Sequence, residues 1–362
     1  MTGRLLLGTD NGYVVRRNGP SDYEIVYTSS TFGHGFYAQQ MAGLLTDPTR
    51  PQRAFVADDF GGSPFYPTLS DDGGNAWTSY PSSTFPPPYS QNFVYNMDKN
   101  GALWGITFDD PGLSGWWRSD DRGATWSKIY DLAEPDATNS WIDDLAWTIV
   151  PDDALTPHLA FRLVRADLDG SNYASFSLTL TTSADGDPFL WGWYGSAEMY
   201  AHDGYGGARG ADLIRIDISN PASPTSALQT APFGSGRYVI YAQPIIGGKA
   251  IALAMTTDYS QGEIWYSSDA GLTWSNVVAL TSHLGDTATH ANIGSWLMTA
   301  SHADPLEVYA ATKIPYVWVS TDGGASWSEE SCNVDLGAGG EWAAIAVTTP
   351  GFVPRVWGQV IG

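Results

Sequence analysis

Ser-Thr-Asp-Gly-Gly-Ala-Ser-Trp, residues 320–327, is one of four copies of the pattern S-x-D-x-G-x-x-W in this 362-residue chain, and we call each copy a box. The boxes place the shared residues at Ser70, Asp72, Gly74 and Trp77; at Ser119, Asp121, Gly123 and Trp126; at Ser267, Asp269, Gly271 and Trp274; and at Ser320, Asp322, Gly324 and Trp327. Their serines are 49, 148 and 53 residues apart, and 148 is close to three intervals of 49. This spacing predicts a repeat of about 50 residues, with two degenerate copies between the second box and the third.

Each residue type in the box suits a tight turn between two strands. Ser and Asp side chains can hydrogen-bond to nearby backbone groups, Gly accepts positive φ, and Trp can pack between neighbouring sheets. We therefore predict that the shared residues of the four boxes are structural and carry no chemistry of their own.

The box resembles the Asp box of the bacterial neuraminidase repeat, which occurs in sialidases, two-propeller xyloglucanases, sortilin-type receptors and photosystem assembly factors. In that superfamily each box marks one blade of a β-propeller, so the resemblance implies the same fold here. The flanking sequence agrees, because each box follows an apolar or alternating strand pattern and two further strand patterns precede that one. Each repeat is thus predicted to form one antiparallel blade of four strands, A to D, with the box between C and D.

The blades without a box are assigned from weaker patterns. Residues 159–165 and 176–181, with a relic box at Ser183 and Asp185, are assigned to a third blade, and residues 213–218 to a fourth. Residues 5–16 have the pattern of outer strands without an inner one, whereas residues 342–347 and 356–361 supply inner strands without a box. One blade built from both ends would close the ring and remove open sheet edges. We predict an all-β fold: a single seven-bladed propeller over residues 1–362, with six or eight blades as the alternatives.

The charge balance narrows the possible partners. With 39 acidic and 17 basic residues the net charge is −22, which repels nucleic acid and anionic lipid, and no apolar run is long enough to span a bilayer. We therefore predict no nucleic-acid partner and no membrane insertion. Cys332 is the single cysteine, so an internal disulfide and a thiolate metal cluster are excluded. No signal peptide is visible at the start of the chain, yet the acidity leaves an extracellular or virion-type setting as our expectation.

A ligand site is expected on the face without boxes, where the B to C and D to A connections meet. Aspartates fall just after strand B in four blades, namely Asp10, Asp58 with Asp59, Asp109 with Asp110, and Asp258, and nearby aromatic residues include Trp116, Trp117, Trp141 and Trp342. Carboxylates accept hydrogen bonds from hydroxyls and flat rings stack on sugars, so this pattern indicates glycan binding. The same carboxylates could hold Ca²⁺, which takes six to eight oxygen ligands. Alternatively, Asp before Gly is ordinary turn chemistry.

Two functions follow from these residues. The first is a non-catalytic binding or scaffold propeller that recognises a glycan or a protein partner in an extracellular or virion-type assembly. The alternative is a glycoside hydrolase, which needs two carboxyl groups roughly 5 to 9.5 Å apart. The doublets at 58–59, 109–110 and 143–144 could supply them, with Asp59 and Asp110 as candidates, but two blades must cooperate because adjacent strand residues point to opposite faces. Sialidase-like chemistry is disfavoured, since the Arg-Ile-Pro signature is missing, and a xyloglucanase-like cleft needs a second propeller.

Overall fold

The fold is a ring of seven antiparallel four-stranded sheets, as the sequence predicts. The computed structural model describes residues 4–9, 12–28, 44–47, 50–58, 66–79, 91–98, 100–108, 115–131, 140–142, 145–151, 160–179, 188–192, 196–203, 211–245, 247–257, 261–280, 297–301, 304–312, 314–336 and 342–348. The first strand of each sheet contacts the first strand of the next sheet, and the seventh contact closes the circle. The molecule is therefore a seven-bladed β-propeller.

The strands of each blade are named here from the innermost, A, to the outermost, D. The closing blade contains β28 (Trp342–Thr348), β1 (Arg4–Thr9), β2 (Tyr13–Gly19) and β3 (Asp22–Thr28). Blade 1 contains β4 (Leu44–Thr46), β5 (Ala54–Asp58), β6 (Tyr66–Ser70) and β7 (Thr78–Ser79). Blade 2 contains β8 (Gln91–Met97), β9 (Leu103–Phe108), β10 (Gly115–Ser119) and β11 (Ser127–Asp131).

The other four blades continue in chain order. Blade 3 contains β12 (Ser140–Ile142), β13 (Leu145–Pro151), β14 (Ala160–Asp167) and β15 (Ala174–Thr179). Blade 4 contains β16 (Pro188–Gly192), β17 (Glu198–Asp203), β18 (Leu213–Asp217) and β19 (Thr225–Gln229). Blade 5 contains β20 (Arg237–Ile245), β21 (Lys249–Thr256), β22 (Gly262–Ser267) and β23 (Ser275–Ala279). Blade 6 contains β24 (Leu297–Ala300), β25 (Val308–Ala311), β26 (Tyr316–Ser320) and β27 (Ser328–Ser331).

Burial across a blade follows from its position between two neighbours. Strand β21 is apolar through Ala-Ile-Ala-Leu-Ala-Met and is buried at each of those positions, because adjacent blades cover both of its faces. The outermost strand of the same blade, β23, is exposed or half-buried along its length. The core therefore consists of layers between blades rather than a single central cluster.

Both chain ends contribute to the closing blade, as predicted. Strand β28 pairs antiparallel with β1, with Leu5 opposite Val347 and Leu7 opposite Ile345. A side-chain clasp then ties this blade to blade 6: Arg17 donates to both carboxylate oxygens of Glu330, at 2.7 and 2.6 Å, and the Tyr23 hydroxyl donates at 3.0 Å. Glu330 is only 8% exposed, so the clasp is a buried one. Residues 356–361, predicted as a further inner strand, lie outside the described residues.

One assignment within blade 3 is corrected. The sequence assigns a relic box to Ser183 and Asp185, but β14 and β15 show that the C to D turn of this blade runs through residues 168–173. Residues 183 and 185 lie outside the described residues and after strand D. The error arose because Asp167 and Ala174 replace the serine and tryptophan that mark the intact boxes.

In the boxes, side-chain hydrogen bonds close the C to D turn. In blade 5, Ser267 donates to Asp269 at 2.7 Å and accepts from the Gly271 amide at 2.8 Å, and Asp269 accepts from both the backbone and the hydroxyl of Thr273. The other three boxes repeat the serine bonds at 2.7 to 2.9 Å. The serine is buried in each case, so its hydroxyl satisfies an amide that would otherwise lack a partner.

The boxes also fix the two faces of the ring. The amides of Gly73, Ala270 and Gly323 donate to carbonyl groups in the A to B turn of their own blade, at 2.6 to 2.9 Å. Boxes and A to B turns therefore share one face, which we call the box face. The B to C and D to A connections lie at the opposite ends of the strands, and we call that side the B–C face.

Candidate functional site

The predicted carboxylates follow the ends of B strands. Asp58 is the last residue of β5, while β1, β9 and β21 end at Thr9, Phe108 and Thr256, just before the other predicted aspartates. Asp10, Asp59, Asp109, Asp110 and Asp258 themselves lie outside the described residues. The described strand ends bring these four chain positions to the same face of the ring, and the binding role of the aspartates stays a prediction.

The strand assignment adds two blades to this pattern. Strand β13 ends at Pro151, directly before Asp152 and Asp153, and β17 ends at Asp203. Six of the seven B strands thus end at or near an aspartate in the sequence, blade 6 being the exception. The sequence signal was available, because the apolar run 145–150 before Pro-Asp-Asp has the pattern of a B strand. Residues 143–144, one of the candidate doublets, lie outside the described residues and fall between strands A and B of blade 3 in the sequence.

Threonines at the ends of two B strands form hydrogen bonds that link the two ends of the B to C connection. Thr9 accepts from the Tyr13 amide at 2.9 Å and donates to the Tyr13 carbonyl at 3.3 Å. Thr256 makes the same pair of bonds with Gln261, at 3.0 and 3.2 Å. These side-chain bonds fix where strand C begins, so both ends of each B to C connection have a defined position.

An ion pair with a tryptophan partner lies on the B–C face of blade 5. Arg237 donates to both oxygens of Glu263, at 2.6 and 2.9 Å, and the Trp265 indole donates to the same carboxylate at 2.9 Å. Glu263 is 1% exposed and Arg237 lies over the Trp265 ring, 5.6 Å from its centroid. The hydrogen bond with Glu263 raises the pKa of Arg237, so the guanidinium stays charged. Glu263 is therefore held in place by Arg237 and Trp265 and is shielded from solvent.

The predicted aromatic residues divide by burial. Trp116 and Trp342 are completely buried in the layers between blades, so neither ring presents a face to solvent in this structure and their part in ligand binding gains no support. Trp117 is half-buried, with the Lys128 ammonium 5.9 Å from its ring centroid. Trp141 lies in β12, opposite Trp147.

Two features of the described residues concern metal ions and membranes. In this part of the chain, no group of three or more His, Cys, Asp or Glu side chains is arranged to hold a metal ion. No described segment forms a helix long and apolar enough to cross a membrane.

Comparison with solved structures supports the propeller fold. YCF48 with a bound D1 peptide aligns with a TM-score of 0.52 and 15% identity over 85% of this chain and 91% of that one. YCF48 from Cyanidioschyzon merolae gives a TM-score of 0.53 and 13% identity over 85% and 96% of the two chains. The GH74 xyloglucanase from Xanthomonas campestris gives 0.50 and 15% identity over 89% of this chain and 53% of its own, so the chain spans about half of that enzyme.

The comparisons reveal no relationship closer than a shared fold. No family model matches the chain, and no curated protein matches its sequence. At identities of 13 to 15% the structural likeness shows a shared β-propeller fold and nothing finer.

Proposed function

We propose that this propeller is a non-catalytic binding or scaffold protein that recognises a glycan or a protein partner on its B–C face. The observation that carries the proposal is the common position of the B strand ends, six of which lie at or next to an aspartate in the sequence. An extracellular or virion-type assembly is the setting we propose for such a partner, because the net charge of −22 suits a surface that meets neutral or basic groups.

The Arg237–Glu263 pair supports binding over catalysis. A general acid or base must exchange a proton with the substrate, so it needs an accessible oxygen. Glu263 is buried, and both of its carboxylate oxygens accept hydrogen bonds from Arg237. We therefore assign this carboxylate a role in shaping the face and assign the binding itself to the aspartates at the strand ends, with Trp117 and Trp141 as the aromatic candidates.

A protein partner is compatible with the fold, since YCF48, which shares it, has been solved with a bound D1 peptide. A glycan partner rests on the residue types alone, because carboxylates and aromatic rings are the groups that orient a sugar in a protein site.

The proposal is tested by screening the full chain against a glycan array and a library of immobilised peptides. Any ligand found is then titrated against Asp59→Asn, Asp110→Asn and Asp258→Asn. We expect each variant to weaken binding by about tenfold, the effect of losing roughly 1.4 kcal/mol. Asp22→Asn is the matched control, because Asp22 is an exposed aspartate at the start of strand D of the closing blade, on the box face.

A hydrolysis assay decides the second part of the proposal. Aryl-glycosides and polysaccharides are incubated with the wild-type chain and with Asp59→Asn and Asp110→Asn. Turnover by the wild type that disappears in either variant would overturn the non-catalytic assignment in favour of a glycoside hydrolase. Ligand binding that the three aspartate variants leave intact would remove the B–C face as the site.

A further inference from the structure

The C to D turn of blade 3 differs from the boxes in what it does with its aromatic residue. In the intact boxes the tryptophan is half-buried between blades, whereas blade 3 has Ala174 at that position and Tyr173 just before it. Tyr173 is 43% exposed and is the single exposed aromatic residue among those whose side chains the structure describes. The exposed part of this ring can contact a ligand from solvent.

The turn is built to hold this ring in one place. Tyr173 stacks on Tyr130 of blade 2, with ring centroids 4.7 Å apart and planes 10° from parallel. Tyr130 in turn contacts the buried Trp116, at 5.8 Å between centroids. One face of Tyr173 is therefore covered by an anchored ring, while 43% of the residue stays exposed.

Backbone geometry presses the turn against blade 2. Gly170 has φ +81°, and a Cβ added there would lie 2.5 Å from the Ile129 carbonyl oxygen, so glycine alone fits this close approach. Asn172 adopts φ +52°, a left-handed conformation that asparagine tolerates better than most residues. These two positions turn the chain so that Tyr173 meets Tyr130.

Polar groups are fixed beside the ring. The Asn172 side-chain amide donates to the Asp167 carboxylate at 2.7 Å, and the Ser171 backbone amide donates to the Asp169 carboxylate at 2.9 Å. The hydrogen bonds from Ser171 lower the pKa of Asp169, which is therefore ionised near neutral pH. The turn that carries Tyr173 thus also carries carboxylate oxygens and an asparagine side-chain amide, which are acceptors and donors for hydroxyl groups.

From this arrangement we infer a second binding site, on the C to D turn of blade 3, in which Tyr173 is the stacking platform for a sugar ring of a neutral glycan. The platform is held before the ligand arrives, so little side-chain freedom is lost on binding. The neighbouring carboxylates and the net charge of −22 disfavour sulfated and sialylated chains, which leaves neutral sugars as the ligand class. This site lies on the box side of the ring and does not depend on the aspartates of the B–C face.

Binding of cellohexaose, mannohexaose and chitohexaose to the full chain, with a sialylated oligosaccharide as the charged comparison, tests the inference by calorimetry. We expect at least one neutral hexasaccharide to bind and Tyr173→Ala to weaken it about tenfold, the effect of losing one aromatic stacking contact. Tyr173→Phe keeps the ring and is expected to bind like the wild type. Leu272→Ala is the control, because Leu272 is an exposed apolar residue in the blade 5 box.

Each other outcome would overturn the inference. These outcomes are the absence of neutral hexasaccharide binding, unchanged binding by Tyr173→Ala, and preference for the sialylated chain. Asp59→Asn and Asp110→Asn separate the two sites: loss of hexasaccharide binding in these variants, with Tyr173→Ala unaffected, would place the glycan on the B–C face instead. Thermal unfolding of Tyr173→Ala checks that its blade is intact.

Discussion

The hydrogen bonds of the blade 5 box make the carboxyl of Asp269 a stronger acid. Hydrogen bonds from the Thr273 hydroxyl and amide, followed by one from Ser267, lower the pKa of Asp269 to about 2. Hydrogen bonds lower the pKa values of Asp72, Asp121 and Asp322 as well, against the opposing effect of burial. All four boxes therefore favour the ionised aspartate.

The sign of the pH dependence follows from this lowered pKa. A carboxylate that is more acidic in the folded chain stabilises it above the unfolded pKa of about 3.9, and that stabilisation is lost as the pH falls towards the folded value. We expect the wild type to exceed Asp269→Asn in free energy of unfolding at neutral pH, with the difference shrinking between about pH 4 and pH 2. Urea unfolding across this range measures it, and a constant difference would contradict the assignment.

Ala270 is strained within the same box. Its φ is +59°, in the left-handed region, where a Cβ costs roughly 1 to 2 kcal/mol and glycine avoids the cost. We expect Ala270→Gly to raise the free energy of unfolding by up to about 1 kcal/mol, measured by urea denaturation. Ala325→Gly is the control, since Ala325 in the blade 6 box has ordinary φ, and glycine there should lower stability by about 0.5 to 1 kcal/mol. Equal effects would remove strain as the reason.

Sequence reasoning at this scale could recognise the boxes but not the buried aspartates of the A to B turns. Asp98 is fully buried and accepts from the Ala102 amide at 3.1 Å and from the Trp104 indole at 3.0 Å. Its partners include Trp104 on β9 and Arg118 on β10, and a single Asp in a Gly-containing turn does not predict these contacts. Side-chain contacts between strands depend on register, which the local pattern leaves open.

At the scale of the blade, the box glycine is where one sheet meets the next. A Cβ on Gly271 would lie 2.9 Å from Tyr200 Cε1, on strand B of blade 4, and one on Gly324 would lie 2.5 Å from Ile251 Cγ2, on strand B of blade 5. These two boxes thus pack against strand B of the preceding blade.

Two glycine substitutions separate the stability lost through overpacking from the stability lost through backbone strain. Gly271 and Gly247 both have positive φ, but a Cβ at Gly247 meets open space. We expect Gly247→Ala to lower the free energy of unfolding by about 1 kcal/mol through φ alone, and Gly271→Ala to lower it by a further 1 to 3 kcal/mol through overpacking against Tyr200. Thermal and urea unfolding measure both variants. Equal losses would mean that the contact between blades relaxes without cost.

The elements were predictable where the box was intact. The repeat of about 50 residues located the C strands of four blades, and complementary strand patterns predicted the closing blade. Blade 3 was misassigned because its turn keeps Asp169 but lacks the serine and the tryptophan. As a result Asp152, Asp153 and Asp203 were overlooked at the B–C face, since finding them required knowing where strand B ends.

At the scale of the whole molecule, the Arg17–Glu330 clasp joins blades that are first and last in the chain. Burial opposes the charge on Glu330, while the hydrogen bonds from Arg17 lower the pKa of this carboxyl, so the pair is ionised. We expect Glu330→Ala to lower the free energy of unfolding by about 3 to 5 kcal/mol, because Arg17 would remain buried and unpaired. Urea denaturation measures the change.

The neighbouring residue provides the control for the clasp. Glu329 is exposed on the same strand, so Glu329→Ala should change stability by no more than about 0.5 kcal/mol. Similar losses in the two variants would mean that the clasp adds nothing beyond general surface charge.

Strand β28 also determines when the closing blade can be completed during synthesis. The Thr348 hydroxyl donates to the Arg4 carbonyl, and these two residues are 344 positions apart in the sequence. At a synthesis rate of about 5 to 20 residues per second, β1 leaves the ribosome roughly 17 to 70 s before its inner partner exists. During that interval the edge of the first sheet is unsatisfied and open to other nascent chains on the same message. The rate of translation between β1 and β28 therefore governs how long each nascent chain keeps this sheet edge unpaired.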